Sequence, residues 1–373
     1  MKGFQEGTAR GFIAAVLLSA LFVCMPADAI RAAGKSPNKA YLYVLSSGKR
    51  GALRVNTLSL VDANAKTTKE LFRLEKGSVE TLSRDPYGRF WAGYTSPDGR
   101  RENRVQVFSA DGSFSKTVLT ADNPGAGIIF SGRRAFIACT QNGFSGAIDV
   151  FDQNTLTQIK TIELSSGIKK TPYYLTAMAC DGKRIAVAGM TTGPVQSLNY
   201  CVITVIDCLS LSIIMRTKPL EGVDIWSILP YRGSFIMLNN AFRGKANGNY
   251  SGLLVLAGDS RIKEMSGYPS PLMGMIKGDI LYTFHNGAFN STSSEASRKL
   301  SILNLRTKKM SVWTLPDNWN CSGMAATGSK ILLLNSEAPQ RKAGGIYEFS
   351  PEDKKLSQMM SITDASRMLS AEQ

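Results

Sequence analysis

The chain carries one histidine, His285, in its 373 residues. A single imidazole cannot build a multi-histidine metal centre or a bis-histidine haem site. Any Ser-His-Asp or Cys-His nucleophile would have to run through it. His285 closes the run Leu281-Tyr282-Thr283-Phe284-His285-Asn286-Gly287, where it reads either as a general-base candidate or as a histidine satisfied inside the fold. Gly143-Phe144-Ser145-Gly146 misses the G-x-S-x-G nucleophile elbow by one position. Asp122-Asn123, Glu221 and Asp224 offer oxygen ligands without the spacing of a calcium loop. P-loop and G-x-G-x-x-G signatures are absent. The expectation is therefore no metal and no cofactor, with His285 as the one weak catalytic candidate.

Aromatic and carboxamide side chains are the other chemistry on offer. Asn142, Phe144, Tyr173, Tyr174, Trp226 and Asn240 fall in or beside segments that read as long loops. So do Phe242, Arg243, Tyr268, Asn286, Trp319 and Asn320. Aromatic faces together with amide hydrogen bonds suit a peptide, protein or polymer ligand. We take these twelve residues and His285 as a ligand- or partner-binding face. The competing expectation is that such aromatics cap a core and such asparagines make turns.

Charge and targeting narrow the setting. Lys and Arg total 44 against 29 Asp and Glu, for a net charge of +15. The basic pairs are dispersed, as at Arg133-Arg134, Lys183-Arg184 and Lys308-Lys309. Such a surface is either simply solvated or meets an anionic envelope polymer. Nucleic acid is not expected as a partner. Lys2 and Arg10 flank the start of the apolar run 11–25, and Ala27-x-Ala29 supplies a small-x-small cleavage pattern. Residues 1–29 thus read as a signal peptide and 30–39 as a short linker. The mature chain is expected in the periplasm or secreted, with an N-terminal membrane anchor as the alternative and no span after cleavage. It should act as a monomer or as one subunit of a hetero-complex. Cleavage leaves Cys139, Cys180, Cys201, Cys208 and Cys321, an odd number with no C-x-x-C. Their pairing stays open.

The elements that must position these groups form a repeat. One unit is an apolar-x-apolar strand, a polar turn and a second strand, as in Ile148-Asp149-Val150-Phe151-Asp152 and Ile203-Thr204-Val205-Ile206-Asp207. The unit interleaved with it is a small apolar strand, a Gly turn with a charged residue, and a strongly apolar strand. Asp181-Gly182-Lys183-Arg184-Ile185-Ala186-Val187 is the clearest copy. Its second strand recurs near residues 41, 90, 134, 184, 234, 280 and 330. Gaps of about 44 to 50 residues match the four-strand period of a β-propeller blade. The prediction is an all-β fold, a seven-bladed β-propeller of four-stranded antiparallel blades over 40–373. The copy at Ala40-Tyr41-Leu42-Tyr43-Val44 lacks its inner strand. The segment from Ser361 to Gln373, with Ile362, Met368 and Leu369, either supplies that strand or forms a short helix.

At these residues the chain resembles the secreted YVTN/YncE-like seven-bladed propellers. The D-G-K turn at Asp181-Gly182-Lys183 and the run Ile148 to Leu156 carry the likeness. Leu253 to Asp259 and Ser301 to Lys309 depart from it by lacking the Asp-x-x-Thr turn. The resemblance implies the fold over about residues 40 to 362 and leaves function open, because propellers host many activities. The reading it supports is an exported scaffold that presents a loop-rich face to a protein, peptide or envelope polymer. The alternatives are a lactonase- or lyase-type enzyme using His285, and a non-catalytic subunit of an exported redox complex.

Overall fold

The computed structural model describes residues 41–370, apart from segments 51–52, 63, 75–77, 96–100, 141–144, 168–170, 193–198, 241–251, 258–260, 266–270, 286–298, 317–318, 320, 328–329, 336–343 and 363–364. The expected signal peptide and linker lie outside the described residues. Seven antiparallel sheets follow one another along the chain, each with four strands in line; six are hydrogen-bonded in sequence order, and the first takes its inner strand from Ala365–Ser370. The second strands begin at Tyr41, Phe90, Arg134, Arg184, Ser234, Ile280 and Lys330, the positions at which the repeat placed them. The fourth sheet gains a two-residue strand, Leu220–Glu221, paired with Asn199–Asp207. The protein is a seven-bladed β-propeller.

Period-two alternation on the second and third strands builds the ring. In blade 4, Ile185 and Val187 join blade 3 residues such as Ile148 and Phe136. The intervening Ala186 and Ala188 turn the other way, onto Ile225, Phe235 and Met237 of blade 5. Both faces of a blade are thus buried, large side chains against one neighbour and small against the other, which lets adjacent sheets interdigitate. The buried residues fall into seven clusters, each made mainly from two adjacent blades. Each buried Leu, Ile or Phe contributes about 1.5–3 kcal/mol, so the seams between blades are the hydrophobic core.

The ring closes through the C-terminal segment. Ala365–Ser370 pairs antiparallel with Tyr41–Arg50, in register Leu42 to Ser370, Tyr43 to Leu369 and Val44 to Met368. It supplies the inner strand that blade 1 lacked, and the helix alternative falls away. Met368 is buried with Leu42, Val44, Ala325, Leu332 and Leu334, at the seam of blades 1 and 7.

Two turn devices repeat around the ring. In the turn after the third strand, the Asp152 carboxylate accepts from the Asn154 and Thr155 amides at 2.8 and 2.9 Å. Asp207 accepts from Leu209 and Ser210 in the same way. Asn304 does so from Arg306 and Thr307 at 3.0 and 2.9 Å, so blade 6 keeps the turn that its sequence had seemed to lack. The carboxamide oxygen replaces the carboxylate at no geometric cost.

The second device uses the cation of the turn between first and second strands. Arg89 reaches the Gln153 carbonyl of blade 3 at 2.7 Å. Arg134 reaches the Cys208 and Leu209 carbonyls of blade 4. Arg184 reaches the Gly233 carbonyl of blade 5 at 2.8 Å. Arg232 pairs with Asp279 of blade 6 at 2.8 Å, and Lys330 reaches Asn64 of blade 1 at 3.2 Å. The basic residue that marks the repeat is therefore an inter-blade tie.

Met368→Ala should cost about 2–4 kcal/mol, as for other buried methionines, and lower the urea midpoint. Deleting the residues after Ile362 should in addition expose the paired edge of Tyr41–Arg50 and promote association, read by light scattering. A deletion variant that stays monomeric with an unchanged midpoint would show that this strand does not close the ring.

Candidate functional site

Inner strands of the blades begin at the end of the ring that carries the connections between second and third strands, opposite the tight turns. At that end their register breaks. Glu80, Thr176, Trp226 and Ser322 are each the extra residue between consecutive pairs with the second strand. A wider shift occurs in blade 3 between Asn123 and Gly127. Blade 6 keeps regular pairing along Met273–Lys277. A bulge bends its strand and re-aims one side chain. Glu80, Trp226 and Ser322 are half-buried, as is Tyr174, in strands whose other described residues are mostly buried. Thr176 is buried instead, and its hydroxyl donates to the Ile225 carbonyl of blade 5 at 2.6 Å.

Asp224 lies at the same end, directly before the blade 5 inner strand Ile225–Tyr231. Its backbone is fixed from two sides. The Asp224 amide donates to Asn239 Oδ1 at 2.8 Å, and the Asn240 amide donates to the Asp224 carbonyl at 2.8 Å. Burial pushes the Asp224 carboxyl up to about 7, while a hydrogen bond from the Trp226 indole pulls the other way. Oδ1 accepts no hydrogen bond. Near neutral pH this group is poised between acid and carboxylate, unlike an exposed aspartate.

The other expected site residues divide. Tyr174 and Trp226 are half-buried at this end, and Trp226 also packs against the cluster of blades 6 and 7. Asn240 is buried and serves the Asp224 backbone. Tyr173 and Trp319 are core residues rather than a contact surface. Tyr173 is fully buried with its ring over Gly189, where a Cβ would fall 2.2 Å from the phenol. Trp319 packs edge-on against Tyr347, centroids 4.6 Å apart, inside the seam of blades 6 and 7. Apolar ring area outweighed loop position in both cases. Asn142, Phe144, Phe242, Arg243, Tyr268, Asn286 and Asn320 lie outside the described residues.

His285 is 1% exposed, and its Nε2 shares a 2.6 Å hydrogen bond with the buried Ser301 hydroxyl. Alternation puts both on the side of blade 6 that carries Leu281 and Leu303, which pack against blade 5. The pair sits within a seam, where a substrate has no access without parting two blades. Thiol nucleophiles are also poorly placed. Burial raises Cys139 and Cys201, and pushes Cys321 up to about 12, so all three stay protonated at neutral pH. Ser145 and Gly146 lie in a regular strand, Ser145–Asp152, not in an elbow. Among the described residues no group of three or more His, Cys, Asp or Glu could hold a metal ion. Asp224 was visible in the sequence only as an oxygen ligand, and Glu80 and Ser322 were not singled out. Neither a bulge nor the burial of one aspartate has a signature in a single sequence.

No family model and no curated protein matches the chain. Solved structures do. The periplasmic gluconolactonase PpgL of Pseudomonas aeruginosa superposes with a TM-score of 0.60 at 12% identity, over 89% of this chain and 99% of that one. A candidate 6-phosphogluconolactonase from Bacteroides uniformis gives 0.60 at 9% identity, over 89% and 99%. The β-propeller domain of the trilobed protease of Pyrococcus furiosus, described as having an open velcro topology, gives 0.53 at 12% over 86% and 98%. At these identities the likeness is one of fold. The present chain differs from the last description in that its two terminal segments pair.

The Asp224 assignment makes a pH prediction. A carboxyl whose folded pKa is raised above 3.8 adds stability that is complete below about pH 4 and is lost as pH rises through about 7. Asp224→Asn removes that dependence. Relative to wild type, the variant should gain on the order of 1–3 kcal/mol between pH 5 and pH 8, measured by urea unfolding at both. Parallel pH profiles for the two proteins would show that Asp224 ionises normally.

Proposed function

We propose that the protein is an exported binding scaffold whose long-loop end receives a protein, peptide or anionic envelope polymer. The observation that carries this reading is the repeated break of inner-strand register at one level of the ring. Glu80, Tyr174, Trp226 and Ser322 are half-buried near the starts of the inner strands of four blades. Rigid aromatic anchors beside hydrogen-bonding groups are the usual composition of a binding surface. Phe242, Arg243 and Tyr268, which lie outside the described residues, are assigned to the same surface by this proposal on their sequence position between strands. The net charge of +15 favours an anionic partner.

Asp224 supports a second reading, hydrolysis of a sugar lactone as the name of the Pseudomonas neighbour describes. A carboxyl that burial raises to about 7 at this end of the ring is the kind of acid-base group such a reaction needs. The burial of His285 against Ser301 weighs against its use as the general base in this second reading.

Tyr174→Ala should reduce capture of the partner from an exported-protein fraction, and of polygalacturonate as an anionic polymer, by about tenfold or more. Its melting temperature should stay close to that of wild type, since the side chain is only half-buried. Unchanged capture by Tyr174→Ala and Phe242→Ala together would remove this surface from binding. Gluconolactone should not be hydrolysed above the spontaneous rate. Turnover that is present in wild type and lost in Asp224→Asn would put the enzyme reading first.

A further inference from the structure

The five described cysteines are not equivalent. Among the described cysteines, only Cys180 and Cys208 lie sulfur to sulfur. Cys139 donates to the Asp149 carboxylate at 3.6 Å, and Cys321 to the Gly323 carbonyl at 3.4 Å. Cys201 turns toward blade 5. Cys180 and Cys208 both turn toward blade 3, and their sulfurs lie 3.7 Å apart. Cys180 ends the inner strand Tyr173–Cys180 of blade 4. Cys208 opens the turn that follows the third strand of the same blade. The Cys208 amide donates to the Lys183 carbonyl at 2.8 Å, so the two backbones are tied through the turn at Asp181 to Lys183.

We propose that Cys180 and Cys208 are a redox pair that closes to an intrachain disulfide, linking the inner strand of blade 4 to its third-to-fourth turn, while Cys139, Cys201 and Cys321 remain thiols. An S–S bond is about 2.05 Å long. The remaining approach is divided between two side chains that already face one another, one of them in a turn. The bridge would span 28 positions of sequence and constrain the unfolded chain accordingly. It also lies beneath an inter-blade tie, because Arg134 of blade 3 holds the Cys208 and Leu209 carbonyls.

The chemistry balances with a small disulfide such as oxidised glutathione as the oxidant. Opening of the turn exposes the pair, and the Cys180 thiolate attacks the oxidant and releases one glutathione thiolate. The Cys208 thiol then gives its proton to solvent, attacks the Cys180 sulfur of the mixed disulfide and expels the second. Two protein thiols lose two electrons and two protons, and one glutathione disulfide becomes two glutathione thiols. Cys180 suits the attacking role. The Cys208 thiol and the Gly182 amide, at 3.2 Å, both point hydrogen-bond donors at its sulfur and hold its thiol below the usual range. A thiol of lowered pKa is the readier nucleophile.

The test oxidises the purified full-length chain with glutathione disulfide, blocks remaining thiols with iodoacetamide and maps the peptides. Cleavage before and after Asp207 separates Cys201 from Cys208. The expected product is a peptide containing Cys180 joined to one containing Cys208, two hydrogens lighter than the sum. Cys139, Cys201 and Cys321 should be alkylated. Oxidation should raise the melting temperature by roughly 5 °C, reversibly with dithiothreitol, in wild type and in Cys201→Ser. That rise should vanish in Cys180→Ser and Cys208→Ser. Recovery of Cys180 and Cys208 both alkylated after oxidation, or either joined to another cysteine, would overturn the assignment. The peptide map of wild type decides it even where a serine variant folds poorly.

Discussion

Everything in this molecule depends on the pairing of Ala365–Ser370 with Tyr41–Arg50. Blades of a propeller have no core of their own, and each buries its faces only on its neighbours. If the ring were open, blade 1 would have no inner strand and the seam holding Met368, Leu42 and Ala325 would be exposed on one side. The closing strand joins the last described segment of the chain to the first, so closure has the largest loop entropy to overcome. The buried register Val44 to Met368 and Tyr43 to Leu369 is what offsets it.

Closure also explains how the charge is used. The tight-turn end of the ring carries Arg89, Arg134, Arg184, Arg232 and Lys330, each reaching into the next blade. Four of these reach carbonyl or amide oxygens across the seam, and Arg89, Arg184 and Lys330 are at the same time paired with Asp85, Asp181 and Glu348 of their own blades. Toward the opposite end, threonine hydroxyls also tie neighbouring blades. Thr176 donates to the Ile225 carbonyl, and Thr140 to the Leu175 carbonyl. Among the described residues the tight-turn end is thus laced by cations, while the inner strands are opened by bulges toward the other end.

The repeat was legible because Gly turns and apolar strands have local signatures. All seven second strands begin where that pattern placed them, and the missing strand of blade 1 left the C-terminal segment as either a closing strand or a short helix, of which the structure has the strand. Other features are not local. The Asx-type turn at Asn304 escaped the motif because an amide oxygen serves as well as a carboxylate oxygen. Tyr173 and Trp319 fall beside long loops in sequence yet lie in the core, because strand position along the ring axis does not determine burial. His285 ends a strand at the expected end and still turns into a seam, since its neighbour Ser301 lies on the same face of the hairpin. The raised Asp224 carboxyl depends on packing from three separate segments and has no signature in sequence.

The most direct test of the account is native-state hydrogen exchange at the two terminal segments. If pairing closes the ring, the amides of the closing strand and of Leu42 to Leu45 that bridge the two segments exchange only through global unfolding. Their protection then equals that of the central strand Tyr173–Cys180 and responds to urea with the same slope. Exchange at 365–370 that is orders of magnitude faster than in that central strand, and insensitive to urea, would contradict it.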